Sequence, residues 1–208
     1  YFPNTIMASI LGGGFSSRIN MNLREAKGFS YGSRGGFNYS KDYGVLSLSA
    51  PVRSDSTYLS MIELVKEMTD LAKGNRPISK EELDREKDGT ILGLPGRFAT
   101  AAEALSMYRT LVYYGLPLNY YNTMTKRFAG VSIKSAMAAA AKHVHPKQVV
   151  WIVVGDANAD VVVTPASADG KTAEVKKPLR AALADLVSQG LVGPGGIVVV
   201  DADGKRRP

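Results

Sequence analysis

Apolar positions along this chain fall into two rhythms, and each rhythm marks an element. Tyr58, Ile62, Val65, Met68 and Leu71 recur at helical steps, which predicts a helix begun at Ser54-Asp55-Ser56 and ended at Gly74. Ser79 and Glu82 then form a capping-box pair, flanked by Ile78 and Leu83 as a hydrophobic staple, and Gly93, Pro95 and Gly96 break the helix that follows. Phe98, Ala101, Leu105, Tyr108 and Val112 continue the helical spacing in a second run that closes at Gly115 and Pro117. Residues 119–128 and 132–144 read as two more helices, the latter alanine-rich, as a helix pressed against a sheet would be. The other rhythm belongs to strands. Residues 30–40 and 43–52 predict an antiparallel hairpin turning at Asp42-Tyr43-Gly44, with Val45, Leu46, Leu48, Ala50 and Val52 well buried. Residues 148–154, QVVWIVV, read as the clearest buried strand, closed by Gly155-Asp156. The order strand, strand, helices, strand predicts an α+β fold, a mostly antiparallel mixed sheet with helices packed on one face.

The N-terminal stretch is the most informative. Asn4 is placed to cap a short helix whose apolar face is Ile6, Met7, Ile10 and Leu11, and Gly12-Gly13-Gly14 ends it, since glycine alone takes positive φ freely. Ser16 or Ser17 can cap a new helix carrying Arg18, Leu23 and Arg24, and Gly28 ends that one. Arg24 and Tyr31, seven residues apart, therefore stand on opposite sides of one helix-to-strand turn. Guanidinium and phenol O–H both donate hydrogen bonds to a developing oxyanion without first losing a proton. The same spacing is also satisfied if Arg24 pairs with Glu25 and Tyr31 is an ordinary strand aromatic.

Composition narrows the chemistry. The 208 residues suit one large domain or one domain plus an appendage, and the absence of cysteine removes disulfides and thiolate metal sites. A net charge of +7 permits acidic partners, but the basic residues are spread out, apart from Lys205-Arg206-Arg207, and no nucleic-acid motif accompanies them. The reading is no nucleic-acid partner and a solvated basic surface. No run approaches the ~18 apolar residues of a membrane span. The two histidines, His143 and His145, lie roughly 200° apart around a helix, which suits them to a helix C-terminus better than to a metal. The triple glycine lacks the Gly-Lys-Ser/Thr ending of a phosphate loop, no Gly-x-Ser-x-Gly elbow occurs, and the charge run at 80–88 reads as a solvated helix face.

GGGFSSR at 12–18, followed by NLREAKGFSYG at 22–32, resembles the start of the second half-domain of insulinase/pitrilysin-type zinc peptidases. That class includes the mitochondrial processing peptidase and bacterial two-chain zinc proteases. GLPLNYYNTM at 115–124 and VSIKSAMAAAAKHVHPKQVVWIVVGD at 131–156 resemble the same half-domain. The resemblance implies an inactive half-domain over residues 1–156. Residues 157–208 would be the remainder of the same domain, its final helix and strand, with a C-terminal tail. It implies that Arg24 and Tyr31 contact substrate and transition state, and that Gly12, Gly13, Gly14 and Arg18 form a short substrate-side glycine loop, in which Arg18 is either a substrate contact or simply the loop's anchor. Zinc, held by an H-x-x-E-H helix, would belong to a partner half-domain or subunit, because no such motif occurs here. No metal or other cofactor is expected in this chain. Unfolded peptides would be the substrate, and the bacterial periplasm the favoured compartment. A purely structural subunit of the same fold, like the respiratory core proteins, is the alternative. The chain opens YFPNTIMASILGGG without an initiating Met, so it is expected to be a piece of a longer protein and to lack the half-domain's first strand.

Overall fold

Helices dominate the chain, and its strands come in antiparallel pairs, so the α+β class holds. In the computed structural model the described residues are 1–167, 169 and 171–207. The elements run α1 (Phe2–Ala8), a π-helical turn (Ser9–Gly13), α2 (Arg18–Asn20), a second π-helical turn (Met21–Ala26), β1 (Arg34–Tyr39) and β2 (Gly44–Ser49). There follow α3 (Thr57–Lys73), α4 (Lys80–Gly93), α5 (Ala101–Tyr114), α6 (Met124–Ala129) and α7 (Ile133–His143). The chain continues through β3 (Asp160–Thr164), β4 (Val175–Pro178), α8 (Leu179–Ser188), β5 (Val199–Val200) and β6 (Arg206–Arg207). Among the described residues β1 pairs with β2, β3 with β4 and β5 with β6, each antiparallel.

One compact unit comprises Tyr1–Arg18, Arg34–Ser49 and Asp70–Val144. Here Ala136, Ala139 and Ala140 are buried, and their small side chains let α7 lie close on α1. The neighbour of that alanine face is therefore a helix, not the sheet expected. From α1 and the turn after it, Ile6, Met7, Ile10 and Leu11 are all fully buried, and Phe2 meets the Phe128 ring edge-on at 4.9 Å. Asn4 does not cap α1. It sits one turn inside the helix, with its Nδ2 3.3 Å from His143 Nε2 at the end of α7. The hairpin keeps its expected turn, in register from Arg34 opposite Ser49 to Tyr39 opposite Gly44, but β2 is only half-buried and Val45 is 50% exposed. Both halves of the Ser79/Glu82 capping box form, and a second box, Thr100 with Glu103, starts α5. On α5 the anticipated core stripe faces outward: Leu105 is 70% and Val112 77% exposed, while Leu111 is fully buried. That face finds no covering element among the described residues of this unit.

The other unit comprises Ile19–Ser33, Ala50–Thr69 and His145–Pro208. Its core joins Tyr58 and Met61 of α3 to Val161 of β3, Leu179, Ala182 and Leu186 of α8, and Val192. The expected strand at 148–154 does not form: Gln148 ends a 3-10 turn and residues 149–154 have no regular secondary structure. No ladder partner lies beside it among the described residues, and Val150, Ile152 and Val154 stay largely exposed. A strand is stabilised by the amides of its neighbour, so apolar sequence alone does not complete one. The segment borders an apolar groove of about 380 Å³ shared with residues 195–200.

Candidate functional site

Residues 19–33 lie within one unit, and a set of local hydrogen bonds holds them. The π-helical turn Met21–Ala26 ends with Lys27 N–H donating to Asn22 O at 3.0 Å. Phe29 and Ser30 N–H groups then both reach back to Leu23 O, at 2.8 and 3.3 Å. This reversal needs the left-handed Gly28, φ +63°, which a side chain would strain. Leu23 is buried and anchors the turn from below. Downstream, Ser30 Oγ is 2.7 Å from both Gly32 O and Pro51 O, and Ser33 N–H donates to the buried Asn20 Oδ1 at 2.9 Å. π-Helical turns concentrate at functional positions because the extra residue per turn is tolerated only where something else holds it.

Arg24 lies in the π-helical turn before Gly28 and Tyr31 in a bend after it; the strand expected from residue 30 begins only at Arg34. The Arg24 side chain is 37% exposed, with Nε 3.5 Å from Glu25 Oε1. Tyr31 is 97% exposed, so among the described residues its side chain is almost entirely uncovered.

Sequence reasoning passed over the residues beneath this turn. Asn22 Nδ2 donates to Glu63 Oε2 and to Glu67 Oε1, both at 2.9 Å, and Lys27 Nζ lies 3.2 Å from Glu63 Oε1. Both carboxylates belong to α3, one turn apart, and Glu67 is only 3% exposed. Burial pushes the Glu63 carboxyl up, but hydrogen bonds from Asn22 and Lys27 and attraction to Lys27 and Lys66 outweigh it, leaving its pKa below the usual value. The signal available beforehand was the i, i+4 glutamate pair on a helix with an apolar stripe, which reads by itself as a solvated face.

The glycine loop and Arg18 belong to the other unit. None of Gly12, Gly13 and Gly14 has positive φ, so the expected left-handed stop is absent and the chain leaves α1 through a π-helical turn. Gly12 is needed for a different reason. A Cβ there would lie 3.1 Å from Gly35 Cα and 3.2 Å from Gly35 N, where the turn crosses β1 backbone to backbone. Gly13 is exposed, and a Cβ on Gly14 would meet open space. Ser17 does not cap, since its Oγ is buried without a partner among the described residues. Arg18 is 4% exposed. Its Nε and Nη2 grip Glu82 Oε1 and Oε2 at 2.7 and 2.6 Å, while Nη1 and Nη2 donate to Arg76 O and Pro77 O at 2.6 and 2.8 Å. In this structure its guanidinium is occupied within the protein.

Zinc does not fit the residues present. Among the described residues no three His, Cys, Asp or Glu side chains gather as a metal site, and His143 stands edge-on to Phe37 at the end of α7. No helix among them is long and apolar enough to cross a membrane.

Residues 1–90 match the family described as the peptidase M16 inactive domain. The match supports a non-catalytic insulinase-family half-domain over those residues. This half-domain is similar to the non-peptidase homolog YmxG of Helicobacter pylori, 27% identical over 159 residues, which are 74% of this chain and 35% of that protein. Its fold is similar to a peptidase M16 inactive domain from Pseudomonas fluorescens (TM-score 0.62, 23% identity, 70% of this chain and 34% of that one). It is also similar to the inactive peptidase domain of a putative zinc protease from Bordetella parapertussis (TM-score 0.61, 17% identity, 70% of this chain and 78% of that one). The half-domain thus spans about a third of the length of the Helicobacter and Pseudomonas proteins.

Proposed function

We propose that this half-domain closes the chamber of a two-half zinc metalloendopeptidase and binds the substrate peptide through Arg24 and Tyr31. The partner half, carrying H-x-x-E-H, supplies the zinc. One observation carries the reading: Tyr31 is 97% exposed although the turn that bears it is held by internal hydrogen bonds. Presenting a large aromatic to solvent on a fixed turn loses burial energy unless something covers it. A peptide enclosed against a partner half would provide that cover, and in the water-poor space the phenol and guanidinium would act strongly on a carbonyl oxygen. In the other unit, Gly12 and Arg18 would hold the glycine loop in shape.

The alternative is an assembly subunit with no part in hydrolysis. The Helicobacter protein similar to this chain is described as a non-peptidase homolog, and the nearness of Arg24 to Glu25 is what such a surface pair would look like. Hydrolysis of a quenched, unstructured peptide by the H-x-x-E-H half decides between them. It would be run without this chain, with it, and with Arg24→Ala or Tyr31→Phe forms that still associate. Activation lost by ~10²-fold in either variant supports the substrate role. Activation that survives both leaves the half-domain as a wall.

A further inference from the structure

Beneath the turn that bears Arg24 lies a polar clamp that an exposed functional loop does not need for burial alone. We infer that Asn22 is a positioning residue, which fixes the direction of Arg24 by tying its π-helical turn to Glu63 and Glu67 of α3; this rests on the substrate role proposed for Arg24. The chemistry selects asparagine. A primary amide has two N–H bonds, and here each goes to a different carboxylate, at 2.9 Å in both cases. Two acceptors on one side also orient the amide, because the reversed group would set its oxygen against both carboxylates. Its Oδ1 is buried without a partner among the described residues, so hydrogen bonding is incomplete at this residue and the two carboxylate bonds must hold it. The amide separates two carboxylates one helical turn apart, and Lys27, from the residue after the turn, closes on Glu63 at 3.2 Å. Arg24 therefore sits between two tethers to one helix, at Asn22 and at Lys27. A π-helical turn relaxes to an ordinary α-helical one by shifting its register, which rotates Arg24 about the axis. The clamp opposes that shift.

The test uses the full chain with the H-x-x-E-H half and a quenched unstructured peptide. Asn22→Ala removes both tethers from the amide, and Asn22→Gln keeps a donor amide on a longer stem. The expected result for Asn22→Ala is a loss in kcat on the order of 10²-fold with little change in KM, partly rescued in Asn22→Gln. In an Arg24→Ala background, Asn22→Ala should cost nothing further, because the residue it positions is gone. A full additional loss in that background, or an unchanged kcat for Asn22→Ala where Arg24→Ala is impaired, overturns the inference. If Arg24→Ala keeps full turnover, the substrate role itself falls, and deuterium exchange then decides the clamp. Faster exchange at the amides of residues 23–28 in Asn22→Ala, with β3 and β4 unchanged, sustains it, and unchanged exchange there overturns it.

Discussion

Glu82→Gln is the most revealing single change in the glycine-loop unit. Arg18 has 2% of its side chain exposed and makes two bonds to the Glu82 carboxylate, at 2.6 and 2.7 Å. Removing one partner of such a pair leaves an uncompensated buried cation, which costs about 3–5 kcal/mol. The two carbonyl bonds to Arg18 survive, and a glutamine can still accept one bond from it, so the lower end applies, about 3 kcal/mol. Glu82 also accepts from Ser79 N–H at 2.9 Å, so any cap lost adds to this. With a urea m-value of ~2 kcal/mol/M, the unfolding midpoint falls by ~1.5 M at neutral pH. The pH dependence has a definite sign. Burial raises the Glu82 pKa, but bonds from Arg18 and Ser79 and attraction to Arg18 and Arg76 leave it below its ordinary value of 4.5. A depressed folded-state pKa means stability that is fully present above 4.5 and lost as pH falls through the folded value. The wild-type and Glu82→Gln curves should therefore be far apart at neutral pH and converge below that point. A loss under ~1 kcal/mol, or a gap that does not narrow in acid, would refute the assignment of Arg18 as a buried anchor.

Two further changes test the local geometry. Gly28→Ala meets no neighbouring atom but forces a side chain to φ +63°, so it should cost ~1–2 kcal/mol in thermal or urea unfolding; a neutral result would mean the turn does not hold that conformation. On α5, Leu111→Ala should cost ~2–5 kcal/mol, because Leu111 is fully buried, whereas Leu105→Ser, at a residue 70% exposed, should stay within ~0.5 kcal/mol. Equal costs in urea unfolding would show that the stripe of apolar residues on α5 is covered after all.

What the chain determined by itself is what short-range chemistry controls. The Ser79/Glu82 box, the stop at Gly28, the α3 stripe and the hairpin turn each depend on neighbours within a few residues, so residue type and spacing were enough. The α+β class followed from the same local signals. Tertiary structure decided the rest. Apolar sequence does not state what covers it: residues 148–154 found no ladder partner among the described residues, and the α5 stripe turned outward. The triple glycine looked like a helix stop, yet Gly12 is required by Gly35, which lies far along the chain. The resemblance placed Arg18 in a substrate-side loop, but Glu82 closes on it, and nothing in the spacing of Glu63 and Glu67 announced the Asn22 amide that bonds to both. Charge and amide groups have no direction in a sequence; they acquire one only when folding removes water and leaves each a fixed set of partners within reach.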